Sequence, residues 1–174
     1  MGPAGQSSLP MKRALEVLNQ LVADGVIRDY AIGGAMGATF YLEPISTMDL
    51  DVFVLFADET DLAPLQPIYR ALAGMGFRPD EHERECVDIG GTPVQFLPVW
   101  NPLLVEALEN ARTISYEDVP TKVLGPEHLA AICVQTGRIK DKLRVQMFLE
   151  SETFDKDKVA DILQRHGLSG KEKE

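Results

Sequence analysis

Between Ala31 and Val54 the chain reads AIGGAMGATFYLEPISTMDLDVFV, and no other stretch restricts its fold as much. The glycine pair Gly33-Gly34 follows a short strand-like run, Arg28 to Ile32, and precedes an apolar segment, Ala35 to Leu42, that suits a buried helix. Asp49 and Asp51 then open a second strand, Val52 to Phe56, whose β-branched and aromatic residues suit burial on both faces. Because a strand alternates faces with period two, both carboxylates are expected on one side, with Leu50 pointing the other way into a core. Like charges at that spacing repel unless a cation sits between them. Their oxygen-only chemistry suits Mg²⁺ (or Mn²⁺), held by one or two carboxylates together with substrate phosphates. Glycines at a strand-to-helix turn let the backbone approach an anion closely, and the helix start adds unpaired N–H groups and a positive dipole end. Taken singly, each feature has a plainer reading: a turn before a strand for Asp-x-Asp, and tight packing for the glycines.

Together, Ile32-Gly33-Gly34, a short helix and Thr47-Met48-Asp49-Leu50-Asp51 resemble the signature of the DNA polymerase β type nucleotidyltransferase superfamily, in which a glycine turn precedes an Asp-x-Asp strand. Among its branches the chain is similar to small bacterial nucleotidyltransferase-like proteins related to the AbiEii toxins of type IV toxin-antitoxin systems. The likeness extends through Val123-Leu124-Gly125-Pro126-Glu127-His128-Leu129 and Gly137-Arg138-Ile139-Lys140-Asp141. It implies an α/β (α+β) nucleotidyltransferase fold, a small mixed β-sheet flanked by helices, with a helical C-terminal part over 125–168. It also implies an NTP as partner, Asp49 and Asp51 as metal ligands and catalytic residues, and Gly33, Gly34, Thr47 and Lys140 as nucleotide-binding residues. Members that catalyse transfer place a third carboxylate on a later strand. Here the candidate strand is Thr92 to Val99, and alternation puts Gln95 at the inward polar position. An amide brings no charge and is no base at neutral pH, so Glu85 or Asp88 on the neighbouring run becomes the substitute. The resemblance also sets a lysine where Cys133 stands.

The remaining sequence is read as support. A length of 174 residues predicts one domain, 1–174, large enough for a proper core. A formal charge of −10 argues against a broad, non-specific grip on nucleic acid, which comes from Lys and Arg neutralising phosphates. No apolar run is long enough to span a bilayer and no signal-peptide pattern opens the chain, so a cytoplasmic location is expected and no membrane partner. Cys86 and Cys133 lack metal-site spacing and read as buried apolar residues, and His82, His128 and His166 are scattered.

Helical spacing predicts an amphipathic helix over Met11 to Ala23, one after an Asp61 cap through Leu72, one over Pro102 to Asn110, one from Gly125, one from Lys140, and a last one over Asp155 to Leu168. Cys86 to Ile89 and Val94 to Leu97 around Gly90-Gly91 read as a β-hairpin, and Ile114 to Tyr116 and Val119 to Leu124 as strands broken by Pro120. Trp100 is expected to pack at a core or sheet edge. Residues 1–8 and 169–174 are expected to be disordered.

Two functions follow. One is Mg²⁺-dependent transfer of a nucleoside monophosphate from an NTP to a hydroxyl of RNA, protein or a small molecule. The alternative is a non-catalytic member of the same fold that binds nucleotide or a protein partner, as half of a toxin-antitoxin pair. A dinucleotide-binding Rossmann unit fits poorly, because Gly33, Gly34 and Gly37 do not form Gly-x-Gly-x-x-Gly.

Overall fold

The computed structural model describes residues 9–43, 46–47, 49–58, 62–79 and 85–171. Among these the chain forms α1 (Leu9–Ala23), β1 (Ile27–Ile32), α2 (Gly34–Ala38), β2 (Leu50–Phe56), α3 (Gln66–Gly74), β3 (Arg78–Pro79), β4 (Cys86–Ile89), β5 (Thr92–Pro98), α4 (Pro102–Glu109), β6 (Arg112–Tyr116), β7 (Val119–Val123), α5 (Pro126–Thr136), α6 (Ile139–Glu150) and α7 (Lys156–Arg165). The strands form a single mixed sheet in the order β3-β4-β5-β2-β1-β7-β6. β2 lies inside it, antiparallel to β1 and parallel to β5, which is why its sequence is apolar on both faces.

Alternation along the strands sorts two cores. Leu50, Val52, Val54, Val94 and Phe96 face Leu15, Leu18, Ile68 and Leu72 of α1 and α3. Phe53 faces the other way, with Leu97 packed alongside, against a core built by Leu103, Leu104 and Ala107 of α4, Leu129, Ala130 and Cys133 of α5, Phe148 of α6 and Val159 and Ile162 of α7. The α/β fold expected from the sequence is therefore present, with a sheet of seven strands among the described residues.

Several elements differ from expectation for local reasons. α2 stops at Ala38, since the Thr39 hydroxyl donates to the Met36 carbonyl at 2.6 Å and the Phe40 and Tyr41 amides take i−3 partners in place of i−4. α3 begins at Gln66 with Pro67 in its first turn, and Leu62 lies outside it, fully exposed. The expected Asp61 cap lies outside the described residues, as do His82, the terminal segment 1–8 and residues 172–174. Pro120 does not break β7: it pairs with Ser115 of β6, while β7 meets β1 only at Val123, so no ladder bond needs its missing N–H. The β4-β5 hairpin closes through Gly90 and Gly91, both at positive φ, the backbone a two-residue turn of this kind requires. Trp100 is 77% exposed instead of packing at a core or edge.

Candidate active site

The glycine turn and the acidic strand lie against each other. The Gly33 amide donates to the Asp51 carbonyl at 2.9 Å, which fixes the end of β1 to the start of β2. Gly34 has φ +58°, and a Cβ there would fall 1.9 Å from Asp51 Oδ2; a Cβ at Gly33 would fall 2.3 Å from the Phe53 ring. Both positions need glycine for closeness, and Gly34 also for its left-handed backbone. One expectation changes as a result: the Gly33 N–H is committed to Asp51, so the amide available at this turn belongs to Gly34 and not to Gly33.

Asp49 stands just before β2 and accepts from the Thr47 hydroxyl at 3.0 Å. That bond consumes the Thr47 hydroxyl proton in orienting an acid. Burial pushes the Asp51 carboxyl up to about 6, and the neighbouring Asp49 charge pushes in the same direction; Lys140, Arg138 and Arg144 oppose both. The start of α6 thus places three cations in the field of one partly buried acid.

Those cations are not equivalent. Asp141 is fully buried and accepts from Arg138 Nε at 2.6 Å, with Arg144 Nη1 at 3.5 Å on its other oxygen. Arg144 is itself buried, its Nη1 lies 3.8 Å from Cys133 Sγ, and its Nε has no hydrogen-bond partner among the described residues. Where the resemblance sets a lysine, then, the thiol of Cys133 is buried, its pKa raised by that burial, and a guanidinium from the next helix lies beside it. Lys140 is exposed. The sequence shows a basic cluster here, Arg138, Lys140, Lys142 and Arg144, and the structure divides it: Arg138 and Arg144 flank Asp141, while Lys140 and Lys142 are exposed, after a turn at Gly137 with φ +67° between α5 and α6.

Gln95 is the register partner of Asp51 on the adjacent parallel strand, so the two side chains leave the same face of the sheet. Its Nε2 donates to Glu85 Oε2 at 2.8 Å. Asp88, the other sequence candidate, accepts from the Gly91 amide at 2.8 Å and serves the hairpin turn. Another cleft, of about 370 Å³ and lined by Gly25, Phe56, Pro67 and Arg70, lies at the far end of β2 from Asp51, with Asp58 as its acidic residue among the described ones.

Whether the site suits a metal follows from its donors. The Asp49 charge adds to the cost of ionising Asp51, which a divalent cation would relieve, and both offer hard oxygen ligands. Among the described residues no group of three or more His, Cys, Asp or Glu side chains could form a protein-only cage. Two carboxylates and an otherwise open shell match an ion that also binds substrate phosphates, the habit of Mg²⁺.

This chain shares its mixed sheet with helices on both faces with solved structures. Over 94% of its length it matches 92% of an antigenic nucleotidyltransferase-like protein from Paracoccidioides brasiliensis, at 16% identity and a TM-score of 0.54. It also matches the antibiotic-resistance factor ANT(2'')-Ia at 12% identity and a TM-score of 0.52, both in solution, over 90% of this chain and 91% of that one, and in a crystal complex with adenylyl-2''-tobramycin, over 94% and 97%. No family model matches the chain, and no curated protein matches it in sequence. At these identities the likeness establishes the fold. No described helix is long and apolar enough to cross a membrane.

Proposed function

We propose that this chain is a Mg²⁺- or Mn²⁺-dependent nucleotidyltransferase that moves a nucleoside monophosphate from an NTP to a hydroxyl. The observation that carries the reading is the contact of Gly34 with the Asp51 carboxylate, beside Asp49 and under the charges of Arg138, Lys140 and Arg144. Asp49 and Asp51 would hold the metal, which would supply the positive charge that an in-line displacement at phosphorus requires. Thr47 orients Asp49, the Gly34 amide faces a phosphate, and Lys140, exposed at the helix start, meets the outer phosphates. Buried Arg144 would add positive charge beside Asp51.

The acceptor class follows less directly. One similar structure contains adenylyl-2''-tobramycin, which supports a small-molecule hydroxyl ahead of RNA or protein. Placement near the AbiEii toxins, with an antitoxin as protein partner, rests on the motif likeness alone. A second reading, nucleotide binding without transfer, is favoured by one feature: the neutral Gln95 beside Asp51.

Calorimetric titration of ATP, CTP, GTP and UTP in the presence of Mn²⁺ tests the first reading. Wild-type protein is expected to bind at least one of them, and Asp51→Ala to lose that binding with its fold intact by circular dichroism. Binding that survives Asp51→Ala, or no binding of any NTP, ends it.

A further inference from the structure

Helix α6 inverts the usual arrangement of a surface helix, apolar inside and polar outside. Its inward face holds two charged side chains, Asp141 and Arg144, beside Val145 and Phe148, while Ile139, Leu143 and Met147 turn outward and stay 82%, 64% and 36% exposed. Those three lie four residues apart and so form one stripe along the helix, which the described elements leave largely open. We propose that this stripe is the contact surface of a homodimer, in which α6 of one copy packs antiparallel on α6 of a second copy about a two-fold axis.

The charges beside the stripe identify its occupant. Among the exposed charges of α6, Lys140 and Lys142 stand near the start and Glu150 at the end, with exposed Glu152 just beyond. That order opposes the helix dipole, which favours acids at the start and cations at the end, so the helix's own stability does not account for it. An acidic partner segment would be attracted at one end of the stripe and repelled at the other, and a basic one the reverse. A second copy laid antiparallel satisfies both ends, because each basic start then meets the acidic end of its neighbour. The match extends to single rows. Lys142, Gln146 and Glu150 form the next row at four-residue spacing along one flank of the stripe, and this row, read backwards, has the opposite sign at each end. Lys142 of one copy thus lies opposite Glu150 of the other, while Lys140 stands on the other flank.

With one helix from each copy the interface is small, so the dimer forms at micromolar concentration and is not obligate. It uses the outer face of α6, opposite Asp141 and Arg144, and so does not depend on the nucleotidyl-transfer reading.

Sedimentation equilibrium of the full chain over a range of micromolar concentrations tests the proposal. Wild-type protein is expected to dimerise reversibly. Leu143→Glu is expected to weaken the dimer by about tenfold or more, with circular dichroism unchanged because the side chain is exposed in a single copy. Glu150→Lys sets like charges opposite one another and should weaken it as well, whereas Lys142→Glu added to Glu150→Lys exchanges the pair and restores the wild-type constant. Protein that stays monomeric throughout overturns the proposal, as does a dimer that neither Leu143→Glu nor Glu150→Lys weakens. A dimer that Leu143→Glu breaks but that neither charge variant moves overturns the antiparallel arrangement. A monomer that binds vesicles of anionic phospholipid through Leu143 makes the stripe a lipid-facing surface and ends the dimer reading.

Discussion

At the scale of single residues, Asp51 carries a conflict between stability and chemistry. Folded, it keeps its proton up to about pH 6, against 3.8 for the ordinary group. Between those values the folded state binds more protons than the unfolded one, so stability falls as pH rises through the window, and the full cost is present above it. Two pKa units correspond to at most about 3 kcal/mol. Asp51→Asn should therefore raise the thermal midpoint of the metal-free protein at pH 7.5 and leave it nearly unchanged at pH 4; scanning calorimetry at both values would show it. Gly34 poses a separate question. Gly34→Ala and Gly25→Ala both put a side chain on a left-handed backbone, costing about 1–2 kcal/mol each, but Gly25 has open space and Gly34 has Asp51. Urea denaturation should show the larger loss at Gly34, and equal losses would argue against the contact. The closeness of glycine turn and acid was legible in the sequence because both lie in one short stretch with fixed alternation. That Gly33 spends its amide on the Asp51 carbonyl was not, since hydrogen bonds between strand ends depend on register.

Elements are held together partly by a cluster that no sequence pattern announces. Glu106 of α4 accepts from Arg165 at the end of α7, from His128 of α5 at 2.9 Å and from His166 at 2.7 Å. The Arg165 hydrogen bond, more than the two histidines, holds the Glu106 carboxyl well below the usual range, against the opposing effect of burial. A depressed folded pKa means the stabilisation is in place above the ordinary value of 4.5 and is lost as pH falls below it. Glu106→Gln should lower the thermal midpoint at pH 7, with the gap to wild type closing below pH 4. A constant gap across that range would show that shape, not charge, matters there. The partners sit at 106, 128, 165 and 166, too far apart in the chain to read as a motif, and the histidines looked merely scattered. Strand pairing was easier to foresee: the 86–97 hairpin and the Gln95 position follow from two glycines and period-two alternation. Helix ends were harder, as the truncated α2 shows, because competing side-chain and i−3 bonds decide them.

Across the whole molecule, the sheet is enclosed by α1 and α3 on one side and by α4 to α7 on the other, and the candidate site opens where the second layer meets the start of β2. Its parts are Gly33 and Gly34, Thr47, Asp49 and Asp51, Gln95, and the cations at 138, 140 and 144, so the constellation exists only once the sheet and the last helices have docked. The chain is acidic overall, at −10, yet three cations converge on this one place. Composition foretold the first fact, and only the α5-α6 corner produces the second. The lone tryptophan has an optical consequence. Trp100 is the chain's single indole and stands 77% in water beside the buried Asn101. Its emission in the native state is therefore already that of a solvated ring, so denaturation will hardly move the fluorescence maximum. A change in its colour or in its quenching by iodide would instead signal something landing on the β5-α4 corner.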